Sequence, residues 1–157
     1  MTSQEINDYG VKISQANKTE LIVIMYEMAI KYIDDGLESL NNNNIEDYRL
    51  NLKRSKAVIN ELTSVLDMSH VISFELRSLY VFINNVLVRA DIRVETDELI
   101  RVREMLVKLS KAFKKVSSED KTGPVMENTQ QLYAGLTYSK TSLNVDMYSD
   151  VNRGFKV

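Results

Sequence analysis

The sequence has no cysteine and little histidine, glycine or proline. Without cysteine the chain has no disulfide, no thiolate zinc site, no iron–sulfur cluster and no cysteine nucleophile. Its single histidine, His70, leaves too few ligands for a histidine-rich metal centre, so we expect no metal and no cofactor. Five glycines and one proline are too few for a glycine-rich phosphate loop or a turn-rich β-sandwich. These absences point away from an enzyme.

An excess of charge of one sign is also missing. Twenty Lys and Arg residues stand against 22 Asp and Glu residues, which leaves a net charge of −2. A nucleic-acid-binding protein usually carries a clear basic excess, so we expect no nucleic-acid partner. The N-terminal residues do not read as a secretory signal. The apolar stretches around 21–33 and 79–88 are interrupted and fall short of the ~20 residues that span a bilayer. We therefore expect a cytoplasmic protein without membrane insertion.

Apolar residues recur every three or four positions over most of residues 17–117, which is typical of helices buried on one side. Asn17 followed by Glu20 is a capping-box signal for the first helix. The pattern predicts four helices, at roughly 17–40, 44–66, 70–92 and 96–117. The predicted core stripes are Leu21, Met25, Met28 and Tyr32 on the first helix, and Tyr48, Leu52, Ser55, Ile59, Leu62 and Leu66 on the second. Those of the third and fourth are Ile72, Leu76, Leu79, Ile83, Val86 and Ala90, and Leu99, Val102, Leu106, Leu109, Phe113 and Val116.

Helices of ~20 residues joined by short links pack as antiparallel neighbours. The predicted fold is therefore all-α, an antiparallel up-and-down four-helix bundle within a domain at residues 1–117. Residues 1–16 are expected to form a short N-terminal cap segment. Residues 118–157 are expected to form an irregular or partly helical C-terminal extension, either packed on the bundle or mobile.

Three of the predicted helices carry apolar residues that a four-helix core does not need. On the third helix, Phe74, Val81 and Val88 repeat every seven residues opposite the core stripe. Single exposed apolar residues are normal, and a terminal segment of the same chain is an alternative cover. Rows at heptad spacing are also what an amphipathic partner helix needs. We predict seven partner-contact residues: Tyr26, Ile30, Phe74, Val81, Val88, Ile100 and Val107.

Two other functions remain open on the residues alone. A generic helical adaptor for another partner would show the same apolar rows. A histidine phosphotransfer domain is also a four-helix bundle with one histidine. Here, however, His70 lies at a helix entrance and is followed by the apolar Val71 and Ile72. This setting does not suit a histidine that must admit a donor domain.

Three blocks of the sequence resemble the flagellar secretion chaperones, the FliS family. They are QANKTELIVIMYEMAIKYI at 15–33, IEDYRLNLKRSKAVINELTSVLD at 45–67 and LRSLYVFINNVLVRADI at 76–92. The first is similar to the family pattern S-x-x-x-L-I-x-x-L-Y-x-x-A. The second matches a helix that closes in E-L-x-x-x-L-D, and the third matches L-x-x-L-Y-x-Y-x.

The resemblance implies a non-enzymatic function in the bacterial cytoplasm. A chaperone of this family is expected to bind the disordered C-terminal segment of flagellin in an apolar groove, in a 1:1 complex. Binding prevents premature polymerisation and assists type III flagellar secretion, with the flagellar export gate as a further expected partner. The segment before the first helix would be a mobile cap over the binding surface, a role that falls here on Ile6, Tyr9, Val11 and Ile13.

Overall fold

The computed structural model describes residues 1–126, which form five α-helices and no strand. The helices are α1 (Ser3–Gln15), α2 (Lys18–Asn41), α3 (Ile45–Ser64), α4 (Val71–Arg93) and α5 (Asp97–Glu119). The all-α class predicted from the sequence is confirmed. The part of the C-terminal extension beyond residue 126 lies outside the described residues.

Capping side chains mark where the helices begin. The Asn17 side chain accepts the Glu20 N–H at 2.8 Å, and the Glu20 carboxylate accepts the Asn17 N–H at 2.9 Å, which completes the capping box of α2. Asn44 accepts the Asp47 N–H at 3.1 Å at the start of α3. Thr96 precedes α5 without a side-chain capping bond. Helices α2 to α5 each begin one residue after the predicted start.

The N-terminal segment is itself a helix, which the apolar pattern did not predict. Thr2 accepts the Glu5 N–H at 3.2 Å, and the Glu5 carboxylate accepts the Thr2 N–H at 2.7 Å. This capping box begins the 13-residue helix α1, in which no residue is buried. Because α1 adds nothing to the core, it forms an outer layer on the bundle.

Helices α2 to α5 close a ring in chain order, and α1 packs on α2. The Ser55 hydroxyl donates to the Ala29 carbonyl at 3.1 Å between α2 and α3. The Tyr48 hydroxyl donates to the Ala90 carbonyl at 3.0 Å between α3 and α4. Links of three, six and three residues join the four helices, so consecutive helices run antiparallel.

Two ion pairs cross the seam between α2 and α5. Arg103 donates to Asp34 through both guanidinium edge nitrogens, with Nη2 2.9 Å from Oδ2. Lys114 Nζ lies 2.5 Å from Glu27 Oε1. Both pairs are partly exposed, so they fix the register of the two helices more than they stabilise the fold.

The core confirms most of the stripe predicted for α3 and corrects that of α2. The first five residues of the α3 stripe are buried. On α2, only Met25 of the predicted stripe is buried, and Leu21, Met28 and Tyr32 are partly exposed. The buried residues of α2 are Val23, Ile24, Met25, Tyr26, Ala29, Ile33 and Gly36. Because α2 contacts three other helices, its apolar arc is too wide for periodicity to locate the core side.

Two residues predicted to lie in the core are exposed. Ile72 at the start of α4 is 57% exposed, and Val116 near the end of α5 is 56% exposed. Both lie at the end of the bundle where α2 begins. Helices α4 and α5 pack against each other less closely than the other neighbouring pairs of the ring. The apolar stripes of α4 and α5 therefore extend beyond the last turn that a neighbouring helix covers.

Candidate partner-binding surface

Helix α4 has apolar residues on two sides. Its core side consists of Tyr80, Ile83, Val86, Leu87 and Ala90, all buried. On the other side, Phe74 is 56% exposed, Val81 50% and Val88 36%. These three residues, with Ile92 as an extension that is 70% exposed, form what we call the outer row. The structure therefore places the α4 members of the predicted contact set on the open surface.

Further exposed apolar residues widen the outer row, and they were not among the predicted contact residues. They are Val71, Ile72 and Phe82 on α4. The signal available was adjacency: Val71 and Ile72 follow each other in the chain, as do Val81 and Phe82. Neighbouring helical residues point about 100° apart, so both cannot face one narrow core seam. On α5, the predicted Ile100 is 43% exposed.

The prediction that Tyr26 lies on the partner-binding surface is wrong. Its side chain is fully buried, and its hydroxyl forms a hydrogen bond with the hydroxyl of Tyr80. Its ring centroid lies 5.5 Å from that of Phe113. Burial, followed by the bond to Tyr80, raises the pKa of Tyr26 far above its usual range. The residue belongs to the core because α5 covers this side of α2.

The two remaining predicted contact residues are partly covered. Ile30 on α2 is half-buried and packs against the core, and Val107 on α5 is half-buried as well. Neither lies on α4. Phe74, Val81 and Val88 thus share one face of α4. Tyr26 and Ile30 lie on α2 and do not belong to that face.

Helix α1 packs on α2, and charged side chains of the two helices form ion pairs. Glu5 pairs with Lys31 at 3.2 Å, and Lys31 also pairs with Asp35 at 2.7 Å. The hydrogen bond that Lys31 donates to the Asp35 carboxylate is the main cause that raises the pKa of Lys31, so the lysine stays charged. Of the predicted cap residues, Ile6 and Val11 are exposed, and Tyr9 and Ile13 are half-buried. Polar contacts therefore contribute much of the attachment of α1.

The single histidine lies in the exposed link before α4. His70 Nε2 is 3.6 Å from Asp67 Oδ2, and both side chains are more than half exposed. Within residues 1–126, no group of three His, Asp or Glu side chains is arranged to hold a metal ion. The apolar surface of α4 is therefore the feature of the described chain that most needs a functional explanation.

By length and composition alone, α4 is the one helix of residues 1–126 able to cross a membrane. Its most apolar 18-residue window has a mean hydropathy of 1.4, although only 28% of that window is buried. Polar and charged residues interrupt the apolar residues of this helix, so it contains no long uninterrupted apolar run. A core side and an outer row on the same helix account for this hydropathy, and a single such helix is weak evidence of a membrane span.

Comparison with known proteins gives two findings. A family model described as flagellar protein FliS matches residues 3–121. A relative named flagellar secretion chaperone FliS, from Bacillus subtilis (strain 168), is 26% identical to the chain over 110 residues. That alignment covers 69% of this chain and 83% of the relative. The family match includes α1 and all four helices of the ring.

Proposed function

The chain belongs to the FliS family of flagellar proteins, and from that premise we propose that it is a cytoplasmic flagellar export chaperone for flagellin. In this proposal the C-terminal segment of flagellin folds into helix against α4, and the complex then delivers the subunit to the flagellar export gate. The observation that carries the proposal is the outer row on α4. The name of the relative, a flagellar secretion chaperone, supports the same function.

The outer row has the length and spacing for one partner helix. Phe74 and Val88 are 14 positions apart, which corresponds to about 21 Å, or four helical turns. Covering the exposed half of such a side chain contributes on the order of 1 kcal/mol. Three or four such residues only offset the ~2–5 kcal/mol that ordering a disordered segment costs. We therefore include the neighbouring exposed residues Ile72, Phe82 and Ile100 in the proposed contact.

Titration calorimetry of the full chain against the C-terminal segment of flagellin from the same organism tests the function directly. We expect saturable 1:1 binding with a clearly negative heat-capacity change, because apolar surface is buried. Absence of binding by the full chain, and again after removal of residues 1–16, would contradict the proposal. The bundle would then be an adaptor for another partner.

The variant Val81→Asp tests the outer row. A charge at the centre of an apolar contact should raise the Kd for the flagellin segment at least about tenfold. The melting temperature should change little, because Val81 is half exposed and lies opposite the core side. Calorimetry and thermal unfolding monitored by circular dichroism measure the two effects.

Leu50→Asp is the matched control for this variant. Leu50 is 43% exposed, a fraction similar to that of Val81. It lies on a different surface, on α3 beside α1 and the end of α2. We expect its Kd to equal that of the wild type. Equal losses of affinity in the two variants would mean that added negative charge, and not the outer row, is responsible. A large fall in melting temperature for Val81→Asp would place Val81 in the core.

A further inference from the structure

The solvent face of α5 is basic, although the chain as a whole has a net charge of −2. Arg101, Lys108 and Lys115 repeat every seven residues on this helix, and all three side chains are exposed. We call them the basic row. Each member follows a core-packed residue by two positions, and these residues are Leu99, Leu106 and Phe113. Two positions correspond to about 200° around a helix, so the basic row points away from the core.

The described part of the chain leaves the basic row without ion pairs. Within residues 1–126, the side chains of α5 that form ion pairs are those of Glu98, Arg103 and Lys114. Lys111, which lies beside the basic row, is exposed and is not among them. From residue 101 to residue 115 the helix has six cationic side chains and one carboxylate, that of Glu104. Neighbouring side chains therefore do not balance the charge of this face.

The helix dipole explains only one end of the basic row. Cations are favourable near the last turn of a helix and unfavourable near the first. Lys115 is close to the end of α5, but Arg101 is the fifth residue of the helix and Lys108 is at its midpoint. Like charges on one face repel each other and add nothing to the stability of the fold. The basic row therefore needs an explanation outside the helix itself.

The spacing of the basic row fits a helical partner. Successive members are about 10.5 Å apart along the helix axis, so the row is about 21 Å long. A seven-residue repeat drifts by about 20° per step on a straight α-helix, which gives the row a shallow left-handed path. A second helix packed at about +20° follows the same path. Carboxylates along one face of such a helix would lie beside the cations over the whole length of the row.

The basic row suits a helix better than a flat anionic surface such as a bilayer. Peripheral membrane helices combine basic residues with apolar residues that enter the bilayer. The large exposed apolar residues of α5 are Ile100 and Val116, which lie near opposite ends of the helix. The outer row is on α4, and adjacent helices of the ring face outward in different directions. One flat surface therefore does not reach both rows at once.

We propose that the basic row is a docking surface for a partner helix that carries acidic side chains along one face. This surface is separate from the outer row on α4, and the inference does not depend on the proposed function. Charge complementarity attracts such a partner to α5 and sets its orientation. Because exposed ion pairs are screened by salt, the affinity should fall as the ionic strength rises.

Two synthetic peptides of alanine, glutamine and glutamate, each about 21 residues long, test the proposal. One has its glutamates along one face of the helix, and the other has the same composition with the glutamates distributed around it. We expect the full chain to bind the one-face peptide at least about tenfold more tightly. Fluorescence anisotropy of the labelled peptides at low salt measures both affinities, and added sodium chloride should weaken the tighter complex.

Lys108→Glu reverses the charge at the centre of the basic row and should raise the Kd for the one-face peptide at least about tenfold. Lys53→Glu is the matched control. Lys53 is exposed on α3, so this variant has the same net charge but an intact row, and its Kd should equal that of the wild type. Val81→Asp, which changes the outer row, should also leave this Kd unchanged.

Three outcomes would overturn the proposal. Equal affinity of the wild type for the two peptides would show that the face does not select a row of carboxylates. Equal losses in Lys108→Glu and Lys53→Glu would show that only net charge matters. Sedimentation with phosphatidylglycerol vesicles that Lys108→Glu abolishes, without discrimination between the peptides, would assign the basic row to a membrane surface instead.

Discussion

At the scale of single residues, the core depends on buried tyrosines whose hydroxyls are all satisfied. Tyr26, Tyr48 and Tyr80 are at most 1% exposed. Tyr26 and Tyr80 bond to each other across the bundle, and Tyr48 donates to the Ala90 carbonyl. An unsatisfied buried hydroxyl costs about 1–3 kcal/mol. These bonds therefore favour one register of α2, α3 and α4 over alternatives that would bury the same apolar area.

Removal of one hydroxyl from the Tyr26–Tyr80 pair should destabilise the protein more than removal of both. We expect Tyr26→Phe and Tyr80→Phe each to lower the free energy of unfolding by about 1–2 kcal/mol, since each leaves the other hydroxyl unpaired. The double variant should lose less than either single variant, because it leaves no buried hydroxyl unpaired. Denaturant titrations of the four proteins measure this, and strict additivity would show that the hydroxyls do not interact.

Single residues also show how much of the candidate surface the sequence could predict. Phe74, Val81 and Val88 were predicted correctly to lie opposite the core side, because α4 has a clear core stripe to measure against. Tyr26 was placed wrongly because α2 is apolar over most of its circumference. Periodicity reports which residues share a helix face, but it does not report how many neighbouring helices cover that face.

At the scale of helices, two glycines lie where an alanine side chain would fit without a clash. Gly36 on α2 lies against α3, where an added Cβ would be 3.5 Å from Asn51 Cβ and 3.6 Å from the Tyr48 carbonyl oxygen. These are ordinary contact distances, so alanine fits. At Gly10 on α1, an added Cβ would meet nothing within 4 Å. Neither glycine has the positive φ that would require it.

Gly36→Ala should stabilise the bundle by about 0.5–1 kcal/mol, because it lowers the entropy of the unfolded chain without a clash. Gly36→Leu should destabilise it, since the larger side chain forces α2 and α3 apart. Gly10→Ala should slow hydrogen exchange in α1 and leave the denaturant midpoint unchanged. A shift of the midpoint by Gly10→Ala would mean that α1 unfolds together with the bundle.

The sequence predicted four of the five helices because capping residues and apolar stripes agreed for them. Helix α1 was missed because its apolar residues are few and none is buried. The signal was nevertheless present: Thr2 and Glu5 have the same spacing as Asn17 and Glu20, and both pairs form capping boxes. An apolar stripe predicts only a helix that packs against the core. A helix that lies outside the core can be predicted only from its capping residues.

At the scale of the whole molecule, stability should fall steeply in alkali. Burial raises the pKa of Tyr26, Tyr48 and Tyr80 above the value of 10.0 that they have when exposed. A raised folded pKa contributes stability that is complete below pH 10 and is lost as pH rises. With three protons held by the folded state and released by the unfolded state, the slope reaches about −4 kcal/mol per pH unit. Denaturation midpoints from pH 8 to 11 measure it, and a flat profile would contradict the burial.

The contacts that close the ring of helices cannot all form at the same stage of synthesis. Contacts of α2 with α3, and of α3 with α4, join neighbours in sequence and can form as the ribosome releases them. The seam between α2 and α5 joins residues such as Asp34 and Arg103, which are 69 positions apart. The bond between Thr19 and Asp120 spans 101 positions. The first turn of α2 is therefore among the last parts of the bundle to gain all its contacts, since Asp120 is translated only after α5.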